Sequence, residues 1–427
     1  MERRGPLSSA GSRAEPAPLV VTGLGAVTPL GLDVGSTWEG LVAGRSGVGP
    51  LQAFDPSGLS TRIAAEVRGF DAAKVLPPKR LRRTSRAAQF AVAAARQAVA
   101  DAGLDLGTED RERVGVVLNS AVAGFDTVER AVRQLLGAAE GRIGPYMVSS
   151  SITNMAACEV AMDLDLHGPV VASALACASG AYAFVEAARL IAAGEADVVV
   201  CGGTDAGITR AMFEGLTVMG ALSSRNDDPQ GASRPFDLDR DGFVFGEGAV
   251  LAVVERQEHA RRRGVDPYCV LAGGSLTADA FHPSAPEPSG RFAARAIELA
   301  LQRAGIVPEE LDLVVAHGTG TQANDRTEAA ALHQALGPAA ERPWVTSPKS
   351  ALGHLIGAAG ALGVLVGALA IRHGLIPPTR NLERPDPACA PLRHVARRAQ
   401  LARVRTALTN AFGFGGQNCT VALRALA

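Results

Sequence analysis

Aromatic residues are scarce in this chain, 4% of 427 positions, with two Trp and three Tyr. That excludes a core built on large rings and leaves Ala and Gly to fill the interior, which suits helices packed closely against parallel sheet. Net charge is also lacking. Forty-two basic and 43 acidic residues sum to −1, so no global field points to nucleic acid or a membrane surface. The six cysteines, at 158, 177, 201, 269, 389 and 419, include no CxxC pair and no metal-ligand spacing. This argues for a reducing compartment and against a disulfide or zinc framework. Residues 1–18 carry no apolar h-region and read as a disordered tail, not a secretory signal. The longest apolar run, 357–371, is about fifteen residues against the roughly 20 needed to span a bilayer. A buried core helix and a cytoplasmic protein are expected. Nucleotide fingerprints are missing as well. Gly23-Leu24-Gly25-Ala26-Val27-Thr28 lacks the third glycine of a dinucleotide loop, and no GxxxxGK[ST] or GxSxG motif occurs. No cofactor and no metal are expected.

What is present centres on Cys177. The β-branched stretch from Val170 to Ala176 reads as a buried strand ending at the cysteine, and residues 181–194 read as a buried helix. A thiol at such a turn sits at a helix N-terminus, where free backbone N–H groups and the dipole favour thiolate. The dipole alone is worth roughly 0.3–1 kcal/mol, enough to lower a thiol pKa without a charged neighbour. The plain alternative is a buried structural cysteine. Two histidine motifs shift the balance. Leu313-Val314-Val315-Ala316-His317-Gly318-Thr319-Gly320-Thr321 runs a strand into a Gly/Thr loop. Ser347-Pro348-Lys349-Ser350-Ala351-Leu352-Gly353-His354 ends in a second Gly-rich turn. Glycine there lets backbone approach a ligand. One cysteine with distant histidines is a candidate nucleophilic site.

From about Val20 to the C-terminus, these motifs together resemble the β-ketoacyl-ACP synthases of the condensing-enzyme, thiolase-like superfamily, of the synthase II type. The resemblance also rests on Ser233-Arg234-Pro235-Phe236-Asp237, on residues 240–248 and on Asn410-Ala411-Phe412-Gly413-Phe414-Gly415-Gly416. It implies a five-layer αβαβα fold and a decarboxylating Claisen condensation of malonyl-ACP with a Cys177-bound acyl chain. Under it, Cys177 is the nucleophile, and the Cys177 and Phe414 N–H groups form an oxyanion hole. Neutral His317 and His354 donate to the malonyl carbonyl. Lys349 pairs with Glu328 and holds the histidine network, Asp325 is structural, and Phe414 is a gate. Val122, Phe213, Thr319, Thr321 and Phe412 are expected on the substrate. Lys79, Arg82 and Arg83 are candidate docking residues for the acidic carrier protein, though a charge run is more often a solvated face.

The chain repeats itself loosely. Residues 87–104 and 292–306 are helices followed by the strands 114–118 and 311–316. The Cys177 helix precedes the strand 196–201, and the late helix precedes Leu375-Ile376-Pro377-Pro378. Alternating strands and helices imply parallel βαβ units. The expected division is a tail over 1–18, a nucleophile half over 19–265 and a histidine half over 266–427. A homodimer is expected, joined by the apolar strand 196–200. A heterodimer with a chain-length-factor homologue is the alternative assembly. Leu175, Gly220 and Gln417 depart from the common family pattern and keep open a ketosynthase of a type II polyketide or polyene pathway. A non-catalytic chain-length factor or a thiolase fits less well. The first commonly lacks the nucleophile. The second needs a C-terminal Cys-x-Gly that Cys419-Thr420-Val421 does not supply.

Overall fold

In the computed structural model, residues 18–389 and 391–426 are described, so the expected tail lies outside them except for Pro18. Val- and Ala-rich runs form β1 (Leu19–Val27), β2 (Val114–Asn119), β3 (Val170–Val171), β4 (Val198–Asp205) and β5 (Gly248–Arg256) in the first half. The second half supplies β6 (Cys269–Ala278), β7 (Leu313–Val315), β8 (Trp344–Thr346), β9 (Thr406–Gly413) and β10 (Gln417–Arg424). Their spatial orders are β1-β5-β4-β2-β3 and β6-β10-β9-β7-β8, the same pattern twice. In each, the last three strands run parallel and the first two pairings are antiparallel. The sheets join where Leu19–Val21 pair with Cys269–Leu271.

The helices that matter are α1 (Arg86–Asp101), α2 (Phe125–Leu135), α3 (Met155–Leu164), α4 (Ser179–Ala192), α5 (Arg210–Val218), α6 (Arg291–Ala304), α7 (Gln322–Leu336) and α8 (Ala359–His373). Helices α1 and α3 cover the outside of the first sheet, and α6 and α7 cover the second. Helices α4 and α8 pack on each other between the sheets. The result is a five-layer αβαβα fold. The middle layer explains the shortage of aromatics. A Cβ at Gly180 would lie 2.6 Å from the Gly357 carbonyl oxygen, and one at Gly360 would lie 2.5 Å from Ala181 N. At these two positions only Gly lets the two backbones approach this closely.

Three expectations are corrected. The 170–177 run is not a buried strand. Only Val170–Val171 pair, at a sheet edge where Val170 is 40% exposed. Beyond them, Ser173 N–H donates to Asn119 Oδ1 and Leu175 N–H to Ser179 Oγ, so side chains take the place of ladder partners. The strand after the Cys177 helix lies between β2 and β5 with both edges paired. It therefore cannot pair across a two-fold axis, and its apolar character reflects cover by helices on both faces. In the second half the matching strand is β9, 31 residues further on than expected. Leu375–Ile376 pair instead with Gln400–Leu401 outside the main sheet, and Pro377-Pro378 block any longer ladder. The late apolar run is a buried core helix, as expected: Ile356–His373 is 78% buried inside the fold.

Candidate active site

Cys177 lies on a single 3-10 turn, Ala176–Ala178, that leads directly into α4. Ala176 has φ +46°, a left-handed conformation that costs a non-glycine residue about 1–3 kcal/mol. This strained elbow sits at the N-terminus of the central helix, with the cysteine facing the cavity. Burial pushes the thiol up to about 11. The Lys349 ammonium and the Phe414 and Cys177 backbone N–H groups pull it back down. The expectation that the helix position lowers the thiol unaided is therefore corrected. Desolvation outweighs the groups that lower the thiol, of which Lys349 is the strongest.

His317 follows β7, and His354 follows the short helix Lys349–Leu352. Cys177 Sγ and one nitrogen of each imidazole lie within 4.8 Å of one another. The rings stand nearly perpendicular, centroids 5.5 Å apart. Ile356 N–H donates to His354 Nδ1 at 3.2 Å, and Lys349 Nζ lies 3.4 Å from His317 Nδ1. With both Nδ1 atoms placed as acceptors, each neutral ring carries its proton on Nε2. His354 Nε2 is buried and has no hydrogen-bond partner among the described residues. Desolvation, with Lys349 adding to it, holds both histidines well below their ordinary value, so they are neutral. The three groups have the donor types of a soft-metal site. Nδ1 acceptance makes both rings N–H donors here, whereas metal-bound histidines normally donate through the second nitrogen.

Lys349 Nζ also donates to the His317 carbonyl oxygen at 2.5 Å. The expected Lys349–Glu328 ion pair does not form. Glu328 instead accepts from His317 N–H at 2.8 Å, Gly318 N–H at 2.7 Å and Asn410 Nδ2 at 3.2 Å. Two backbone donors that follow β7 satisfy the carboxylate before Lys349 can reach it. Burial raises Glu328 to about 7 and lowers Lys349 to about 8. Asp325 is fully buried, accepts from Phe236 N–H and Gly320 N–H, and faces Arg240 at 3.4 Å. It ties the His317 loop to the 233–237 segment, in a structural place.

Phe414 opens the turn between β9 and β10 and is 39% exposed. A Cβ at Gly413 would lie 2.5 Å from the Leu175 carbonyl oxygen, so glycine lets this turn pass the cysteine elbow. Gly415 N–H donates to Pro283 O, and Asn418 Nδ2 donates to Asp279 Oδ1. The 279–283 segment thus braces the Phe414 turn. A cavity of about 760 Å3 is lined by Cys177, both histidines, Phe412, Phe414, Thr319, Thr321 and Val122. The Thr319 and Thr321 hydroxyls are 3.0 Å apart. Phe213 does not line it. Its ring is fully buried among Phe54 and Phe245, behind Met212 and Leu216, which do. Sequence reasoning missed Met212, Leu216, Ile356 and Asp279. Only the first two carried a signal, as apolar neighbours of Phe213 on α5. Of the three basic docking candidates, Arg83 lies 3.7 Å from Glu159, and Lys79 and Arg82 make no ion pair among the described residues.

A family model described as beta-ketoacyl synthase, N-terminal domain, matches residues 17–260, and its C-terminal counterpart matches 268–383. A 3-oxoacyl-[acyl-carrier-protein] synthase 2 of Coxiella burnetii is 43% identical over 405 residues, covering 95% of this chain and 98% of that one. The ishigamide ketosynthase/chain length factor matches with TM-score 0.89 and 36% identity, over 96% of this chain and 100% of that one. A type II PKS acyl-carrier protein in complex with its ketosynthase bound to the hexaketide gives 0.89 and 31%, over 97% and 100%. A thiolase-like fold of this kind defines the class of condensing acyltransferases. Within that class, the chain belongs to the beta-ketoacyl synthase family.

Proposed function

We propose that the chain is a 3-oxoacyl-ACP synthase that condenses acyl and malonyl groups delivered by an acyl carrier protein. The observation that carries this reading is the meeting of the Cys177 thiol with two imidazoles whose Nδ1 atoms are both engaged as acceptors. In the first stage Cys177 sulfur adds to the acyl thioester carbonyl. The carrier's C–S bond breaks, and the proton lost by Cys177 ends on the carrier thiol. The Cys177 and Phe414 N–H groups take the tetrahedral oxyanion, and losing one such donor costs about 2.7–4 kcal/mol. In the second stage the malonyl thioester oxygen accepts from His317 and His354 Nε2–H. CO2 leaves, its bonding electron pair passes into an enolate, and the enolate carbon attacks acyl-Cys177. The C–S bond breaks, returning the thiolate and releasing 3-oxoacyl-ACP. Neutral histidines suit this step because it needs N–H donors and no proton acceptor. Phe414, on its glycine-flanked turn, is the proposed gate between the stages.

Lys79, Arg82 and Arg83 are the proposed contacts for the acidic carrier. Two copies of the chain are proposed to associate through the exposed face of α2, the short helix Met147–Ser151, α3 and β3, where Leu135, Leu136, Val148, Met162 and Val170 stand out of the surface. Such a patch beside an open sheet edge marks an interaction face. Six free cysteines suit the cytoplasm. A second reading, ketosynthase of a type II polyketide or polyene pathway, has support from the likeness to the ishigamide and hexaketide-bound ketosynthases. Turnover of a panel of defined acyl-ACPs with malonyl-ACP separates the two. One elongation of saturated chains supports fatty-acid synthesis. Repeated extension, or activity only with a second subunit, supports the polyketide reading.

A further inference from the structure

Asp205 ends β4 with its carboxylate fully buried and no cation within ion-pair reach among the described residues. Oδ1 accepts from Ser120 Oγ at 2.5 Å and Val122 N–H at 3.0 Å. Oδ2 accepts from Gly357 N–H at 2.6 Å and Ala121 N–H at 3.1 Å. One side chain thus joins the loop carrying Val122 to the turn that follows His354. Within that turn Ile356 has φ +48°, rare for a β-branched residue and stable only where the surroundings over-determine it. The Ile356 N–H is the donor that occupies His354 Nδ1. The next N–H, that of Gly357, is the one Asp205 holds. A Cβ at Gly357 would fall inside van der Waals contact with the Asp205 carboxylate.

We propose that Asp205 is a positioning residue that holds the strained Ile356–Gly357 turn and thereby keeps His354 in the Nε2–H tautomer needed to stabilise the enolate. This rests on the condensing reading of the site. Asp205 touches no reacting atom. It acts through the turn, and the carboxylate is needed because two oxygens must accept from four donors at once. In Asp205→Asn, one accepting oxygen becomes an NH2 group that faces two donors and cannot satisfy them.

The test compares two rates and one spectroscopic signature in the full chain. Asp205→Asn is expected to slow malonyl-ACP decarboxylation at least about tenfold more than acyl transfer to Cys177. With 15N-labelled histidine, the His354 ring, assigned with His354→Ala, is expected to lose its pure Nε2–H pattern. If Asp205→Asn does not fold, Gly357→Ala breaks the same contact from the turn side and should give the same two changes. An unchanged His354 tautomer, or equal losses in both half-reactions, overturns the proposal. Wild-type protein that shows the Nε2–H tautomer yet releases no CO2 from malonyl-ACP overturns the condensing reading instead, so the two failures are distinguishable.

Discussion

Among single residues, Lys349 touches more of the site than its motif suggested. It is the strongest influence lowering the Cys177 thiol, and it contacts both His317 Nδ1 and the His317 carbonyl. Burial brings its own value down from 10.5 to about 8. As pH rises through about 8 the folded protein loses this ammonium, so decarboxylation is expected to fall on the alkaline side with a midpoint near there. Lys349→Arg keeps the charge to higher pH and should move that limb upward. A wild-type profile flat to pH 9.5 would show that the charge is not used. The linkage sign follows from the same shift. Between about 8 and 10.5 the unfolded chain binds the proton that the native state has lost, so Lys349 makes stability rise with pH across that window. Cys177→Ala is expected to abolish condensation without unfolding the chain, and a cerulenin-type epoxide should label Cys177 alone. Peptide mapping that finds the label on Cys158 or Cys201 would remove the assignment. Cys177, His317, His354 and Lys349 were legible because each sits in a short motif. The partner of Lys349 was not, because two backbone N–H groups compete for Glu328 and no residue pattern reports them.

The elements around these residues are set by close contacts that glycine permits. Gly413 carries the turn past the elbow at a distance no side chain tolerates. Gly413→Ala is expected to push the Phe414 N–H away from the oxyanion position and lower acyl transfer about 10²–10³-fold, the cost of one such donor. A single-turnover acylation assay measures it, and a loss under threefold would mean that the turn relaxes elsewhere. Val122→Phe, projecting into the cavity, is expected to shorten the preferred acyl chain. An unchanged preference across the acyl-ACP panel would mean that Val122 does not bound the pocket. Helix α8 was readable from composition, since a helix apolar on every face belongs in the interior. The 170–177 run misled for the opposite reason. Val-Val-Ala resembles a buried strand, but Asn119 and Ser179 side chains take the N–H groups that would have extended it.

For the whole molecule, the duplicated strand order was foreshadowed by paired helix–strand motifs at 87–118 and 292–316. The pairing failed only where Pro377-Pro378 displaced the last matching strand to β9. The assembly surface was misplaced for a topological reason. An apolar strand is equally consistent with an edge and with the middle of a sheet, and the pairing of β4 with both β2 and β5 puts it in the middle. Sedimentation at micromolar concentration is expected to give a dimer, and charge placed at Leu135 and Val148 together should weaken it. A wild-type monomer would contradict the proposed interface.

The most direct test of the central claim follows both stages in one reaction. The chain is given an acyl-ACP first and malonyl-ACP labelled at its free carboxyl second. The expected result is an acyl adduct on Cys177 by mass spectrometry, followed by one labelled CO2 for each 3-oxoacyl-ACP formed. Product formed without loss of the label, or an adduct on any other residue, would contradict it.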